Sequence, residues 1–275
     1  MKLAVPVTPR KRPAAPIPLQ GPLDWAFGEA RAAGYQGVEL QIGHPREVAE
    51  WDVAQLLREH ELEAVCVATG AAHIEEGLWL ADPNQSNRAK AVDRLREHID
   101  LCESIGAALV IGMMRGKLST DAVEADSQLA AYIESLRECL DAAAGRGVTL
   151  LVEPINRYET NFMPTTQSVL DLLSGAGLNQ IDLLLDTFHM NIEEVSIEAA
   201  LSAAAGRIGL VQLVDSNRRA PGMGHIDVGS IISTLHADGY EGYLSVECLG
   251  YPTGVEAIAF AAKHIRQFAP AATAI

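Results

Sequence analysis

The sequence predicts a single domain over residues 1–275 that folds as a (β/α)₈ TIM barrel. Eight apolar, β-rich runs recur along the chain, and helix-like stretches separate them. Strands that alternate with helices favour parallel pairing, and eight such units are the number that closes a barrel. The alternative is a doubly wound open sheet. It predicts a glycine-rich phosphate loop after an early strand, and the sequence contains no GxGxxG.

The predicted strands share aliphatic and β-branched residues bounded by turn residues. They cover residues 3–7, 37–42, 63–68, 108–114, 149–153, 181–186, 209–214 and 243–248. The connection from Pro6 to Pro22 is long and contains six prolines. Since loops that follow barrel strands surround the active face, we expect this segment to hang over the barrel mouth. Its basic run, Arg10–Arg12, is expected to be solvated rather than to bind phosphate.

Two of the predicted helices have clear boundaries. The stretch 84–105 repeats apolar side chains at helical spacing and ends before Gly106. The stretch 119–145 begins at Ser119 or Thr120 as a capping residue and ends at a glycine.

Charge and cysteine content restrict the class of partner. The formal net charge of −15 argues against a nucleic-acid or anionic-membrane surface, so a small molecule is the expected partner. No apolar run reaches the ~20 residues needed to span a membrane. The four cysteines form no CxxC and are expected to be buried free thiols, which favours a cytoplasmic protein. The composition is also compatible with a homo-oligomer.

Four polar residues lie at or near the ends of the last four predicted strands: Glu153, Asp186, Gln212 and Glu247. In a barrel the carboxyl ends of the strands converge on one mouth, so these side chains are expected to meet there. Three carboxylates so close together repel one another, and a divalent cation resolves that repulsion. Carboxylate and amide oxygens suit Mg²⁺ or Mn²⁺, so the sequence predicts one divalent metal ion at this mouth.

Four motifs carry a family resemblance: VEPINRYE, LLLDTFHMNIEE, VDSNRRAPGMGHID and LSVECLG. They resemble the metal and substrate motifs of the xylose isomerase-like TIM barrel sugar isomerases and epimerases. The similarity is greatest to ketose 3-epimerases of the D-tagatose 3-epimerase type and to hydroxypyruvate isomerases. The resemblance is strong over residues 149–250 and implies one Mn²⁺, Co²⁺ or Mg²⁺ ion.

The resemblance also implies roles for individual residues. The four strand-end residues match the metal ligands, and Glu153 and Glu247 also match the pair that moves a proton. Glu159, His189 and Arg218 match substrate-binding residues. The sequence departs from the epimerase pattern at Gln212, where those enzymes usually have His and hydroxypyruvate isomerase-like proteins have Gln. It departs from both groups at Leu210, where His is common.

The chemistry of such a site permits two outcomes. A proton next to a carbonyl is removed and returned by two carboxylates through an enediolate. Return to the opposite face of the same carbon gives ketose 3-epimerisation, which we expect. Return to the neighbouring carbon gives a hydroxypyruvate or 2-oxo-tetronate type isomerase, which is the alternative. A nuclease and a non-catalytic sugar-binding barrel are further alternatives. The charge of −15 opposes the nuclease, and the presence of both glutamates opposes the binding barrel.

Overall fold

Strand pairing closes the sheet on itself in the computed structural model, which describes residues 1–268. Every strand pair is parallel, the strands follow one another around the sheet, and the first pairs with the last. The strands are β1 (Lys2–Thr8), β2 (Leu19–Gln20), β3 (Gly37–Gln41), β4 (Glu63–Ala68), β5 (Ala108–Ile111), β6 (Leu150–Val152), β7 (Asp182–Asp186), β8 (Ile208–Gln212) and β9 (Tyr243–Ser245). The predicted TIM barrel is confirmed, with β2 as a short ninth strand beside the end of β1.

Helices follow the barrel strands and form the outer layer. They are α1 (Leu23–Ala32), α2 (Val53–Glu59), α3 (Gly70–Glu76), α4 (Gln85–Ile105), α5 (Ala122–Ala143), α6 (Thr166–Gly175), α7 (Thr187–Glu193), α8 (Ile197–Ala203), α9 (Val228–Ala237) and α10 (Gly254–Ile265). Short 3₁₀ turns occupy Pro45–Val48 and Met113–Arg115. None of the helices within residues 1–268 is long and apolar enough to cross a membrane.

Apolar side chains fill two spaces. A small cluster lies inside the barrel, and the larger one lies between the strands and the helices. The inner cluster consists of Cys66, Ala68, Val110, Leu151, Leu184 and Leu210. All four cysteines are buried free thiols, as predicted.

Several predicted boundaries were wrong by a few residues. The predictions 108–114, 149–153, 209–214 and 243–248 extend past the observed strands. Beyond β8 and β9, Leu213, Val214, Val246 and Cys248 remain buried, so the apolar sequence continues past the last residue of each strand. The helix predicted over 119–145 is α5, and its cap is Asp121, whose carboxylate accepts from Glu124 N at 3.0 Å. The prediction for 84–105 is confirmed by α4.

Candidate active site

A cavity of about 660 Å³ opens at the carboxyl ends of the barrel strands. Six of the seven residues that the sequence singled out line it: Glu153, Glu159, His189, Gln212, Arg218 and Glu247. The seventh, Asp186, is fully buried and contacts Arg218 and His189. The structure therefore brings all seven residues to one site.

The strand register explains why the four strand-end residues meet. Asp186 is the last residue of β7 and lies beside Gln212, the last residue of β8. Glu153 follows the end of β6 directly, whereas Glu247 lies two residues beyond β9. In a parallel barrel these ends point to the same mouth, so side chains that are distant in sequence become neighbours.

Arg218 links two of the carboxylates. Its Nη1 donates to Asp186 and its Nη2 donates to Glu247, while its guanidinium lies 4.8 Å from the centre of the Phe188 ring. Its backbone has a φ of +60°, which is uncommon for a residue other than glycine. The buried carboxylate of Asp215 organises this loop, since it accepts from the backbone nitrogens of Ser216 at 2.8 Å and Ile226 at 3.1 Å.

His189 lies on helix α7. Asp186 caps α7 by accepting from Phe188 N at 2.7 Å, so the chain turns helical directly after β7. The Nδ2 atom of Asn156 lies 2.6 Å from His189 Nδ1. With the amide oriented in this way Nδ1 is an acceptor, so the neutral ring carries its proton on Nε2. That atom lies 3.5 Å from Glu153 Oε1.

Burial and mutual repulsion shift the ionisation of these groups. Burial, assisted by Asp186, raises the pKa of Glu153 to about 8. Burial raises the pKa of Glu247 well above its ordinary value, although Arg218 acts in the opposite direction. Burial lowers the pKa of His189, which keeps its ring neutral near pH 7. Without a further cation, Glu153 and Glu247 therefore tend to hold protons, because Arg218 alone does not balance three ionised carboxylates.

The side chains present fit a divalent cation. Gln212 Oε1 is buried, and it has no hydrogen-bond partner among residues 1–268. Together with the carboxylates of Glu153, Asp186 and Glu247, it gives an all-oxygen donor set of the kind that Mg²⁺ or Mn²⁺ prefers. Glu153, Asp186 and His189 also offer ligand atoms within 4.8 Å of one another. Because His189 Nε2 carries a proton in this tautomer, it suits donation to a substrate better than ligation.

The segment after β1 covers part of the mouth, as predicted. Residues 12–17 line the cavity, and most of that wall is apolar. The expectation of a solvated basic run was wrong for Arg12, whose guanidinium donates to Glu47 at 2.9 Å and to Glu75 at 2.8 Å. The guanidinium thereby ties the segment to the loops that follow β3 and β4.

Sequence reasoning assigned no role to Asn156 or Phe188, which contact His189 and Arg218. Asn156 lies inside the motif VEPINRYE, and its amide also donates to Glu159 Oε1 at 3.0 Å. Glu39 is fully buried in the middle of β3, between Val38 and Leu40. The polar residue in an otherwise apolar strand was the available signal for it.

The fold and site define a TIM barrel with an acidic, metal-compatible mouth. The sequence profile described as "Xylose isomerase-like TIM barrel" matches residues 27–268. The chain belongs to this family.

Similar proteins of known activity are sugar epimerases. The chain is 31% identical to the L-ribulose 3-epimerase of Mesorhizobium japonicum over 230 residues, which are 83% of this chain and 76% of that protein. It is 36% identical to the D-psicose 3-epimerase of Ruminiclostridium cellulolyticum over 115 residues, 42% of this chain and 39% of that protein.

Solved structures show the same fold. A structure of L-ribulose 3-epimerase superposes with a TM-score of 0.80 at 23% identity, covering 100% of this chain and 99% of that one. A D-allulose 3-epimerase from Methylomonas sp., in complex with D-allulose, gives a TM-score of 0.78 at 23% identity, with 97% of each chain covered.

Proposed function

We propose that this protein is a divalent-metal-dependent ketose 3-epimerase. The observation that carries the proposal is that Glu153 and Glu247 line one cavity and flank Asp186 and Gln212 around the barrel mouth. The epimerase relatives support the same reading, because they match this chain over most of its length. The substrate class is a ketose. A free sugar fits this mouth better than a sugar phosphate, because Arg12 is already paired with the carboxylates of Glu47 and Glu75.

The residues have distinct proposed roles. Glu153, Asp186, Gln212 and Glu247 would hold the metal ion. When bound, such an ion polarises the substrate carbonyl and stabilises negative charge on its oxygen. Mn²⁺, Mg²⁺ and Co²⁺ all suit the donor set.

The proton transfers belong to the two glutamates. One glutamate, as the carboxylate, removes the proton next to the carbonyl, and the other, as the carboxylic acid, returns a proton to the opposite face of the same carbon. His189 Nε2–H donates to a substrate oxygen near Glu153, and Arg218 binds a substrate oxygen between Asp186 and Glu247. Glu159, held by Asn156 at the mouth, accepts from a substrate hydroxyl.

The alternative reaction is isomerisation of hydroxypyruvate or a 2-oxo-tetronate. It rests on Gln212, the position at which the chain departs from the usual epimerase pattern. The epimerase names of the relatives above favour epimerisation.

The four buried thiols support a cytoplasmic location, which stays a prediction.

Deuterium uptake tests the proposal. The purified protein, loaded with Mn²⁺, is incubated in D₂O with a panel of ketoses and keto-acids, and NMR locates the exchanged carbon. Uptake at C3 of a ketose, together with formation of the C3 epimer, is the expected result. Exchange only in the keto-acids would select the isomerase, and no exchange in any compound would overturn the proposal.

Variants assign the proton transfers. At saturating Mn²⁺, Glu153→Gln and Glu247→Gln are each expected to slow exchange by at least the ~10²-fold typical of a general acid–base group. Glu134→Gln, on the exposed face of α5, is the matched control. Exchange at the wild-type rate in either site variant would remove that residue from the mechanism.

A further inference from the structure

The carboxylate of Glu39 lies beneath the cavity and is surrounded by donors. Its Oε1 accepts from Gln41 Nε2 at 2.6 Å and from Gln212 Nε2 at 2.9 Å. Its Oε2 accepts from Gln212 Nε2 at 3.1 Å and from Ser245 Oγ at 3.0 Å. A carboxylate has about four lone-pair sites, so these contacts fill it. Glu39 is therefore occupied within the protein and has no site left for substrate.

This arrangement determines how Gln212 is oriented. An amide has a donor end and an acceptor end, and a filled carboxylate takes only the donor end. The Nε2 end of Gln212 therefore turns to Glu39, and Oε1 is left on the other side of the amide. That oxygen is buried without a partner among the described residues, which costs free energy unless something else binds it.

Glu39 is also linked to Glu247 through the side chain of Gln41. Gln41 Nε2 donates to Glu39 Oε1 and, at 2.5 Å, to Glu247 Oε1. One buried carboxylate thus holds two glutamine amides, and each amide belongs to or contacts a residue of the proposed site.

We propose that Glu39 is a positioning residue that fixes the Gln212 amide with Oε1 toward the proposed metal ion. The inference rests on the proposed function, because it assigns Gln212 as a ligand. Partners behind metal ligands orient them, and their loss typically lowers metal affinity 10–100-fold. Here Glu39 determines that Oε1 of the Gln212 amide, and not Nε2, faces the metal.

The test replaces the Glu39 carboxylate, which only accepts hydrogen bonds, by an amide of the same shape that both accepts and donates. In Glu39→Gln the new amide offers a donor as well as an acceptor, so the Gln212 amide is free to turn over. Calorimetric titration of metal-free protein with Mn²⁺ is expected to show a loss of affinity of about 10–100-fold. Ser245→Ala removes one donor to Glu39 without touching Gln212, and its affinity is expected to stay at the wild-type level.

A second background separates orientation from the loss of negative charge. In Gln212→His the imidazole ring has an N–H on one nitrogen and a lone pair on the other. Glu and Gln at position 39 can both accept a hydrogen bond from that N–H, so either residue leaves the lone pair of the ring facing the metal. Glu39→Gln is therefore expected to cost much less Mn²⁺ affinity in this background than in the wild-type chain. Equal losses in both backgrounds would mean that Glu39 acts through its charge alone, and would overturn the inference.

The controls distinguish this inference from the proposed function. Wild-type protein that binds no Mn²⁺ contradicts the metal-dependent function itself. Wild-type binding together with unchanged binding by Glu39→Gln contradicts only the positioning role. If circular dichroism shows that Glu39→Gln does not fold, a crystal structure of the wild-type protein with Mn²⁺ decides. A Gln212 side chain that contacts both the ion and Glu39 supports the inference, and one that does not overturns it.

Discussion

Glu153 should make the metal-free protein less stable as the pH rises. Its pKa is about 8 in the folded protein against an ordinary value of 4.5, because burial and Asp186 disfavour the carboxylate. Between these pH values the folded chain holds a proton that the unfolded chain releases, so the free energy of unfolding falls as pH increases. At about 1.4 kcal/mol per pH unit, the full window amounts to an upper limit of about 5 kcal/mol.

Glu153→Gln removes this ionisation and keeps the shape of the side chain. Urea unfolding of metal-free wild-type and variant protein, measured from pH 5 to pH 9, should show the variant gaining stability relative to wild type as pH rises. Glu39 and Glu247 shift in the same direction, so the variant keeps part of the slope. Glu134→Gln on the surface of α5 controls for the substitution type. Parallel profiles for wild type and Glu153→Gln would refute the buried, repelled carboxylate as the cause.

Four further outcomes are expected. Chelation should abolish turnover, and Mn²⁺, Co²⁺ or Mg²⁺ should restore it; full activity in protein shown to be metal-free by elemental analysis would contradict this. Gln212→His should tighten Co²⁺ binding more than Mg²⁺ binding, because imidazole is the better ligand for later transition metals; titration with both ions gives the ratio, and an unchanged ratio removes Gln212 from the ligand set. Gly112→Ala should lower kcat/KM by at least ~10-fold, because the added Cβ would lie 2.6 Å from Glu153 Oε2 and displace that carboxylate. Gly175→Ala is the control and should retain activity, because no heavy atom lies within 4 Å of its added Cβ. His98→Asn should reduce the loss of stability between pH 7 and pH 4. Burial lowers the pKa of His98 from 6.5 to about 4, so the free energy of unfolding of the wild-type protein falls by about 3 kcal/mol as the pH decreases between these two values. Urea unfolding of both proteins at pH 7 and pH 4 measures the difference.

The sequence alone determined the barrel because local patterns report local structure. Aliphatic runs such as EAVCVA specify buried strands, and β4 has the predicted bounds, 63–68. The polar residues that end β7 and β8 break an apolar pattern at fixed spacing, which was enough to place them at one mouth. The limits of β8 and β9 were predicted too long, because buried apolar residues such as Leu213 and Val246 follow the last residue of each strand.

Only the tertiary structure decided how the site residues contact one another. The sequence shows that Glu39 and Gln212 are polar, but their separation of 173 positions says nothing about a contact at 2.9 Å. The tautomer of His189 likewise depends on Asn156, which contacts it from the loop after β6. The direction of an amide, the proton on an imidazole and the pKa of a buried carboxylate are set by the neighbours in space. Those neighbours come from strands that meet only when the barrel closes.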